Sequence, residues 1–221
     1  NGYNVLHTAA ARVGGLDIGF VPSAGGYATQ QILKSCQTGE IKAIYLLGAD
    51  EIPMADLGEC FVIYQGHHGD AAAQRADVIL PGCAYTEKTA TYVNTEGRAQ
   101  RSQQAVSPPG QAKEDWKIIT ALSYSLKRHL ESLGKQPLSY LTVQDAQEDL
   151  STTHFAFQNL GFVSVSPWTP LPKVESLTFS QESFVLPLDN FYMANTINRH
   201  SPTMAACVQE IIQGRRPGKS V

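Results

Sequence analysis

Gly66-His67-His68-Gly69-Asp70 sets two imidazoles and a carboxylate close together, and these are ligand types a catalytic zinc can use. Adjacent histidines generally point in different directions, and no third ligand cluster stands elsewhere. The expectation is therefore that they hydrogen-bond around a strand-to-helix turn. Glu87 and Glu96 are candidates for a paired acid and base. Nothing in the sequence holds them together, so each is expected to be solvated or salt-bridged. Gly48-Ala49-Asp50 follows an apolar run, at the strand end where parallel sheets bind ligands. No Gly-x-Gly-x-x-Gly accompanies it, which favours a structural turn over a dinucleotide site. Cys36, Cys60, Cys83 and Cys207 lie far apart with no Cys-x-x-Cys pair, unlike a zinc site or an iron–sulfur ligand run. They are expected to be reduced, packed core thiols. Neither Gly-x-Ser-x-Gly nor an ordered Cys and His signature is present, and Cys83 reads as a packed small residue. Arg215, Arg216 and Lys219 read as a solvated tail. No catalytic, cofactor-binding or metal-ligating residue is assigned.

The elements that must position these residues alternate. Tyr27 to Gln37 suits a short helix closed by Gly39. Lys42 to Leu47 is nearly all apolar and predicts a strand buried on both faces. Phe61 to Tyr64 and Val78 to Leu80 are similar runs, with a short helix between them. Strands alternating with helices imply an α/β fold with a doubly wound, mostly parallel sheet. Thr89 to Asn94 and Arg98 to Ser102 flank Thr95-Glu96-Gly97, a hairpin in which Gly97 takes positive φ. After Pro108-Pro109-Gly110 comes a helix with Glu114 and Asp115 in its first turn. Ile119, Leu122, Leu126, Leu130 and Leu133 form its apolar stripe, and Lys127, Arg128 and His129 lie near its end. From 134 to 188 the periodicity fades, and prolines at 167, 170, 172 and 187 suggest an irregular segment. Ser201 then caps a last helix with Pro202 in its first position. Met204, Cys207, Val208, Ile211 and Ile212 form its one face, and Gly214 and Pro217 stop it. The expected organisation is an α/β domain over 1–133, an irregular extension over 134–188 and a C-terminal segment over 189–221.

With 43% apolar and 17% charged residues, the chain has the profile of a globular protein. A formal charge of -3 supplies no positive field for a polyanion, so nucleic acid is not an expected partner. No apolar run approaches the roughly 20 residues a membrane-crossing helix needs. Asn1 to Arg12 lacks a basic start followed by an apolar block, and Asn4 to Ala11 reads like the middle or end of a helix. With no initiator Met, a mature or truncated product is expected.

Ala76-Asp77-Val78-Ile79-Leu80-Pro81-Gly82-Cys83-Ala84-Tyr85-Thr86-Glu87-Lys88, with Thr91 to Gln100 after it, resembles the molybdopterin oxidoreductase superfamily, which has a comparable Ala-Asp-Val…Leu-Pro…Glu…Asn-x-Glu-Gly-Arg run. Tyr64 to Asp70, Glu114 to Ile119, and Asp189-Asn190-Phe191-Tyr192-Met193 with Arg199, Ser201, Thr203 and Met204 are similar to a narrower group. That group is the 75 kDa iron–sulfur subunits of respiratory complex I, NADH:ubiquinone oxidoreductase. The likeness is densest over 41–122 and 188–207 and weakest over 133–188. It implies a C-terminal region that keeps the molybdopterin-enzyme fold without the pterin. Iron–sulfur clusters would lie in a separate N-terminal region of the subunit, and this chain would hold no cofactor. Its implied role is noncatalytic: to support neighbouring peripheral-arm subunits and its own N-terminal region during NADH to ubiquinone electron transfer. The implied place is the matrix side of the mitochondrial inner membrane, or the cytoplasmic face of a bacterial one. Gly48, Asp50, Asn94 and Arg98 would be fold-keeping remnants. The alternatives are the cofactor-binding domain of a genuine molybdopterin-dependent oxidoreductase, marked by molybdenum or tungsten, and a free-standing ligand-binding α/β module.

Overall fold

The computed structural model describes residues 6–7, 12–163, 181–183, 185, 188 and 190–214. The chain divides into two compact units, Ala9–Val163 and Asn1–Thr8 with Ser164–Val221, so the division falls away from 133 and 188. The expected helical stretch Asn4 to Ala11 lies outside the described residues except for Leu6 and His7.

The larger unit runs α1 (Arg12–Asp17), α2 (Thr29–Gln37), β1 (Ala43–Leu47), a 3-10 turn (Met54–Leu57), β2 (Phe61–Gly66), α3 (Ala71–Arg75) and β3 (Val78–Pro81). A second 3-10 turn (Tyr85–Glu87), β4 (Thr91–Val93), β5 (Ala99–Arg101), α4 (Asp115–Ser125), α5 (Lys127–Ser132), α6 (Val143–Thr153) and α7 (Phe155–Gln158) complete it. β1, β2 and β3 form a parallel sheet in that spatial order. Ile44 stands opposite Val62, and Leu46 opposite Tyr64. Because strand side chains alternate, these four share one face. Leu46, Val62 and Tyr64 are buried there against Leu33 and Cys36 of α2, Leu57, and Ala72 of α3. Each such large apolar side chain contributes about 1.5–3 kcal/mol when fully buried. α2 ends as the sequence implies, with Gly39 at φ +72°.

The expectation that β1 is buried on both faces is wrong. Only Leu46 is buried in it, and Leu47 is 51% exposed. Composition reports that a strand is apolar, but not whether a layer lies on its second face. Here α2 and α3 cover one face, and among the described residues β1 is a sheet edge.

The hairpin forms as expected. Val93 pairs with Ala99, Asn94 Oδ1 accepts the N–H groups of Glu96 and Arg98 at 3.0 Å each, and Gly97 has φ +82°. Val93 and Ala99 enter a second core with Ala156 and Phe157 of α7. The single helix expected from Asp115 to Leu133 is broken at Leu126, at φ −91° and ψ 8°. Ser125 Oγ donates to the Ala121 carbonyl at 2.9 Å, the back-bonding that bends helix ends. Leu126 and Leu133 are consequently exposed rather than part of one buried stripe.

The segment read as irregular contains α6 and α7. Thr142 Oγ1 accepts the Asp145 N–H at 3.2 Å, and Asp145 Oδ2 accepts the Thr142 N–H at 2.8 Å, a reciprocal cap that starts α6. The prolines that suggested irregularity, at 167, 170, 172 and 187, all lie outside the described residues.

In the smaller unit a 3-10 turn (Phe191–Met193) precedes α8 (Thr196–Arg199) and α9 (Pro202–Cys207). Ser201 Oγ accepts the Met204 N–H at 3.4 Å with Pro202 in the first position, as expected. α9 passes into a π turn, Val208–Ile212, and Gly214 follows at φ +64°. Ile211 and Ile212, within this turn, are exposed. Pro217, the second expected stop, lies outside the described residues.

Candidate functional site

The carboxyl ends of β1 and β2 carry a chain of polar contacts. Gln65 is fully buried, a polar amide within an otherwise apolar strand. Its Oε1 accepts from the Tyr45 hydroxyl, and its Nε2 donates to Asp115 Oδ1 at 2.7 Å. Asp115 Oδ2 accepts from the Lys88 ammonium in a direct ion pair. A Cβ added at Gly82 would stand 3.1 Å from Asp115 Oδ1, so glycine there lets α4 begin close to the sheet. The Tyr45 hydroxyl is held above its ordinary pKa by burial and then by the Asp115 charge.

Beside this chain is a cavity of about 630 Å³ with mainly apolar walls, among them Ile18, Leu47, Tyr92, Trp116, Leu150 and Phe157. Lys88, Glu114 and Asp115 supply its polar rim. The Trp116 indole N–H is buried and without an acceptor.

The residues singled out from sequence take structural posts. Gly48 has φ +61°, and its N–H donates to the Gln65 carbonyl at 2.8 Å, a strand-end turn. Asp70 caps α3, accepting the Ala71 N–H at 2.8 Å. The Nδ1 atoms of His67 and His68 lie 2.5 Å apart with the rings edge to face. Burial lowers the His67 pKa, and the His68 and Lys88 charges add to this while Asp50 and Asp115 oppose it. The pair thus bonds within its strand-to-helix turn, with the two rings meeting at Nδ1 rather than pointing in different directions. Among the described residues no three of His, Cys, Asp and Glu converge as a metal site.

Glu87 Oε2 accepts the Ala84 N–H at 2.9 Å, and Glu96 pairs with Arg98 at 3.4 Å, so each carboxylate has its own local task. Arg98 also donates to the Gly161 carbonyl at 2.6 Å, tying the hairpin to the end of α7. Cys36, Cys60 and Cys83 are buried free thiols; Cys207 is free but only half-buried. Cys36 is pushed up to about 11 by burial and by its bond to the Cys60 thiol. Arg215, Arg216 and Lys219 lie outside the described residues.

Sequence reasoning missed the Tyr45–Gln65–Asp115–Lys88 chain because its members are far apart and share no motif. The available signal was Gln65 itself, a polar residue within an apolar strand.

A family model for molybdopterin oxidoreductases matches residues 1–125. The chain belongs to the molybdopterin oxidoreductase family. A second model, the C-terminal region of the NADH-ubiquinone oxidoreductase G subunit, matches residues 170–207. The chain is 42% identical over 221 residues to the mitochondrial NADH-ubiquinone oxidoreductase 78 kDa subunit of Candida albicans, covering 94% of this chain and 28% of that protein. It is 42% identical over 214 residues to the NADH-ubiquinone oxidoreductase 75 kDa subunit of Reclinomonas americana, and 40% over 208 residues to the NADH-quinone oxidoreductase G subunit of Rickettsia bellii. Coverage is again 94% of this chain and 28% of each relative. The chain thus spans little more than a quarter of the length of these relatives.

A pterin cofactor carries phosphate, which needs cations or clustered N–H donors. The cavity does not fit it: its walls are mainly apolar, Lys88 is neutralised by Asp115, and Glu114 is a carboxylate already paired with Lys117. No reaction step is assigned through that group.

Proposed function

We propose that this chain is a noncatalytic structural and assembly part of the large iron–sulfur subunit of respiratory complex I. It supports NADH to ubiquinone electron transfer in the peripheral arm without holding a cluster or cofactor of its own. The observation that carries the reading is the occupation of Asp115 by Lys88 and Gln65 at the strand ends. Tyr45, Gln65, Asp115 and Lys88 are engaged with one another at the strand ends. The naming of the relatives as complex I subunits supports the same reading. Its partners are the neighbouring peripheral-arm subunits and the subunit's own iron–sulfur region. Its place is the matrix side of the mitochondrial inner membrane, or the cytoplasmic face of a bacterial membrane. No described helix is long and apolar enough to cross a bilayer, in keeping with a peripheral position.

Native membrane complexes resolved by gel electrophoresis test this. The chain, detected by mass spectrometry, should migrate with the large band that oxidises NADH. Migration as a small separate species refutes the proposal. The second reading, a domain of a true molybdopterin-dependent oxidoreductase, draws on the family match over residues 1–125. Molybdenum or tungsten in stoichiometric amount would establish it.

A further inference from the structure

A parallel sheet is stable in water only when both its faces are covered, because crossover helices pack on each side. Here one face is covered by α2 and α3; on the other, Gln65 of β2 is buried beneath Asp115 of α4, but Leu47 at the end of β1 is half exposed. Ile18 and Phe20 share with Leu47 the walls of the apolar cavity, and Phe20 is 83% exposed. These side chains form one surface on the larger unit.

The two sheet edges differ. β3 has four residues, ends in Pro81, and is flanked by Lys113, whose N–H bonds the Pro81 carbonyl at 3.0 Å. Short length, proline and a covering segment are the usual protections of a true edge. β1, five residues long, contains no proline, and no covering segment pairs with it among the described residues. The Lys42 carbonyl accepts the Phe61 N–H at 2.9 Å, and the Gly48 N–H donates to the Gln65 carbonyl at 2.8 Å, so the even-numbered residues of β1 face β2. Strand alternation therefore turns the N–H and C=O groups of Ala43, Tyr45 and Leu47 outward. Three strands in sequential spatial order make one half of a doubly wound sheet. The other half joins at the strand that comes first in sequence.

We propose that the β1 edge, with Ile18, Phe20 and Leu47 beside it, is the docking surface for a further α/β unit of the same subunit. That unit adds a strand parallel to β1 and lays an aliphatic helix face over Leu47. The relatives supply the length for it, since this chain covers 28% of each. A second copy fits less well: a two-fold axis would pair β1 antiparallel to itself and bring no covering helix. The inference rests on the assembly reading, and its test is separable from that reading.

Hydrogen exchange on the native full-length protein, in whatever assembly it is isolated, reads the edge directly. The Ala43, Tyr45 and Leu47 amides should exchange at least ~100-fold more slowly than exposed amides. Fast exchange at all three overturns the proposal whether or not the assembly oxidises NADH. Amine cross-linking identifies the occupant: Lys42 should link to a peptide of the same subunit outside residues 1–221. A Lys42 to Lys42 link between copies, or links to other subunits alone, overturns it. In cells, Leu47→Lys should lower the incorporated subunit at least ~10-fold by burying an unpaired charge, and Ile79→Lys on the protected edge should leave it within ~2-fold. Equal incorporation, or equal loss, of the two variants overturns the assignment to β1.

Discussion

At the scale of single residues the decisive contacts are close approaches that no motif announces. A Cβ at Gly66 would collide with the ring and hydroxyl of Tyr64, which is buried in the main core. Tyr64 has no space to retreat, so Gly66→Ala should destabilise the fold by about 1–3 kcal/mol, read as a lower urea midpoint with unchanged slope. His67 gives a pH signature. Its folded pKa lies below the ordinary 6.5, so the unfolded chain binds the proton more readily. Stability from this residue is intact above about 6.5 and falls as pH drops from there through the lowered folded value. Thermal melts between pH 7.5 and 5 should show this loss, and His67→Gln should flatten it. Because His67 is only partly buried, the change is small.

At the scale of elements, the same caps and turns that shape the fold set how much each helix and hairpin contributes. α6 begins with the reciprocal Thr142 and Asp145 cap, and backbone N–H bonds from Thr142 and Leu141 hold the Asp145 carboxyl below its ordinary range. Thr142→Ala removes one acceptor and should cost about 1 kcal/mol. In a chain of this size that lowers the melting temperature by about 2–4 °C, measurable by circular dichroism. The hairpin is tied down by Arg98, whose guanidinium reaches Gly161 and Glu96 at once. Arg98→Met keeps the stem and removes both bonds; faster hydrogen exchange at the Val93 and Ala99 ladder should follow, with β1 to β3 unaffected. These predictions separate the two cores of the larger unit.

At the scale of the whole molecule, the exposed apolar surface is the main physical liability. Phe20, Leu47 and Phe61 are each close to half exposed or more. Apolar patches of this kind mark interaction surfaces. The isolated chain should bind a hydrophobic dye and self-associate, and Phe20→Ser should reduce both, checked by fluorescence and sedimentation.

Local chemistry was legible in the sequence. The apolar runs at 42–47, 61–64 and 78–80 reported strands because alternation with helix-forming segments implies a parallel sheet. Gly39 and Gly97 reported turns because only glycine takes positive φ readily, and Ser201-Pro202 reported a helix start because its side chain and ring satisfy the first turn. The reciprocal Thr142 and Asp145 cap that starts α6 was not read from the sequence, where the prolines farther on suggested an irregular segment. Long-range placement was not legible. That Gln65 meets Asp115, that β1 is an edge, and that Ile211 and Ile212 stay exposed all depend on which element lies opposite. A strand's sequence encodes its own alternation of apolar side chains. Whether another layer covers the second face is a property of the rest of the structure, and only the tertiary arrangement decided it.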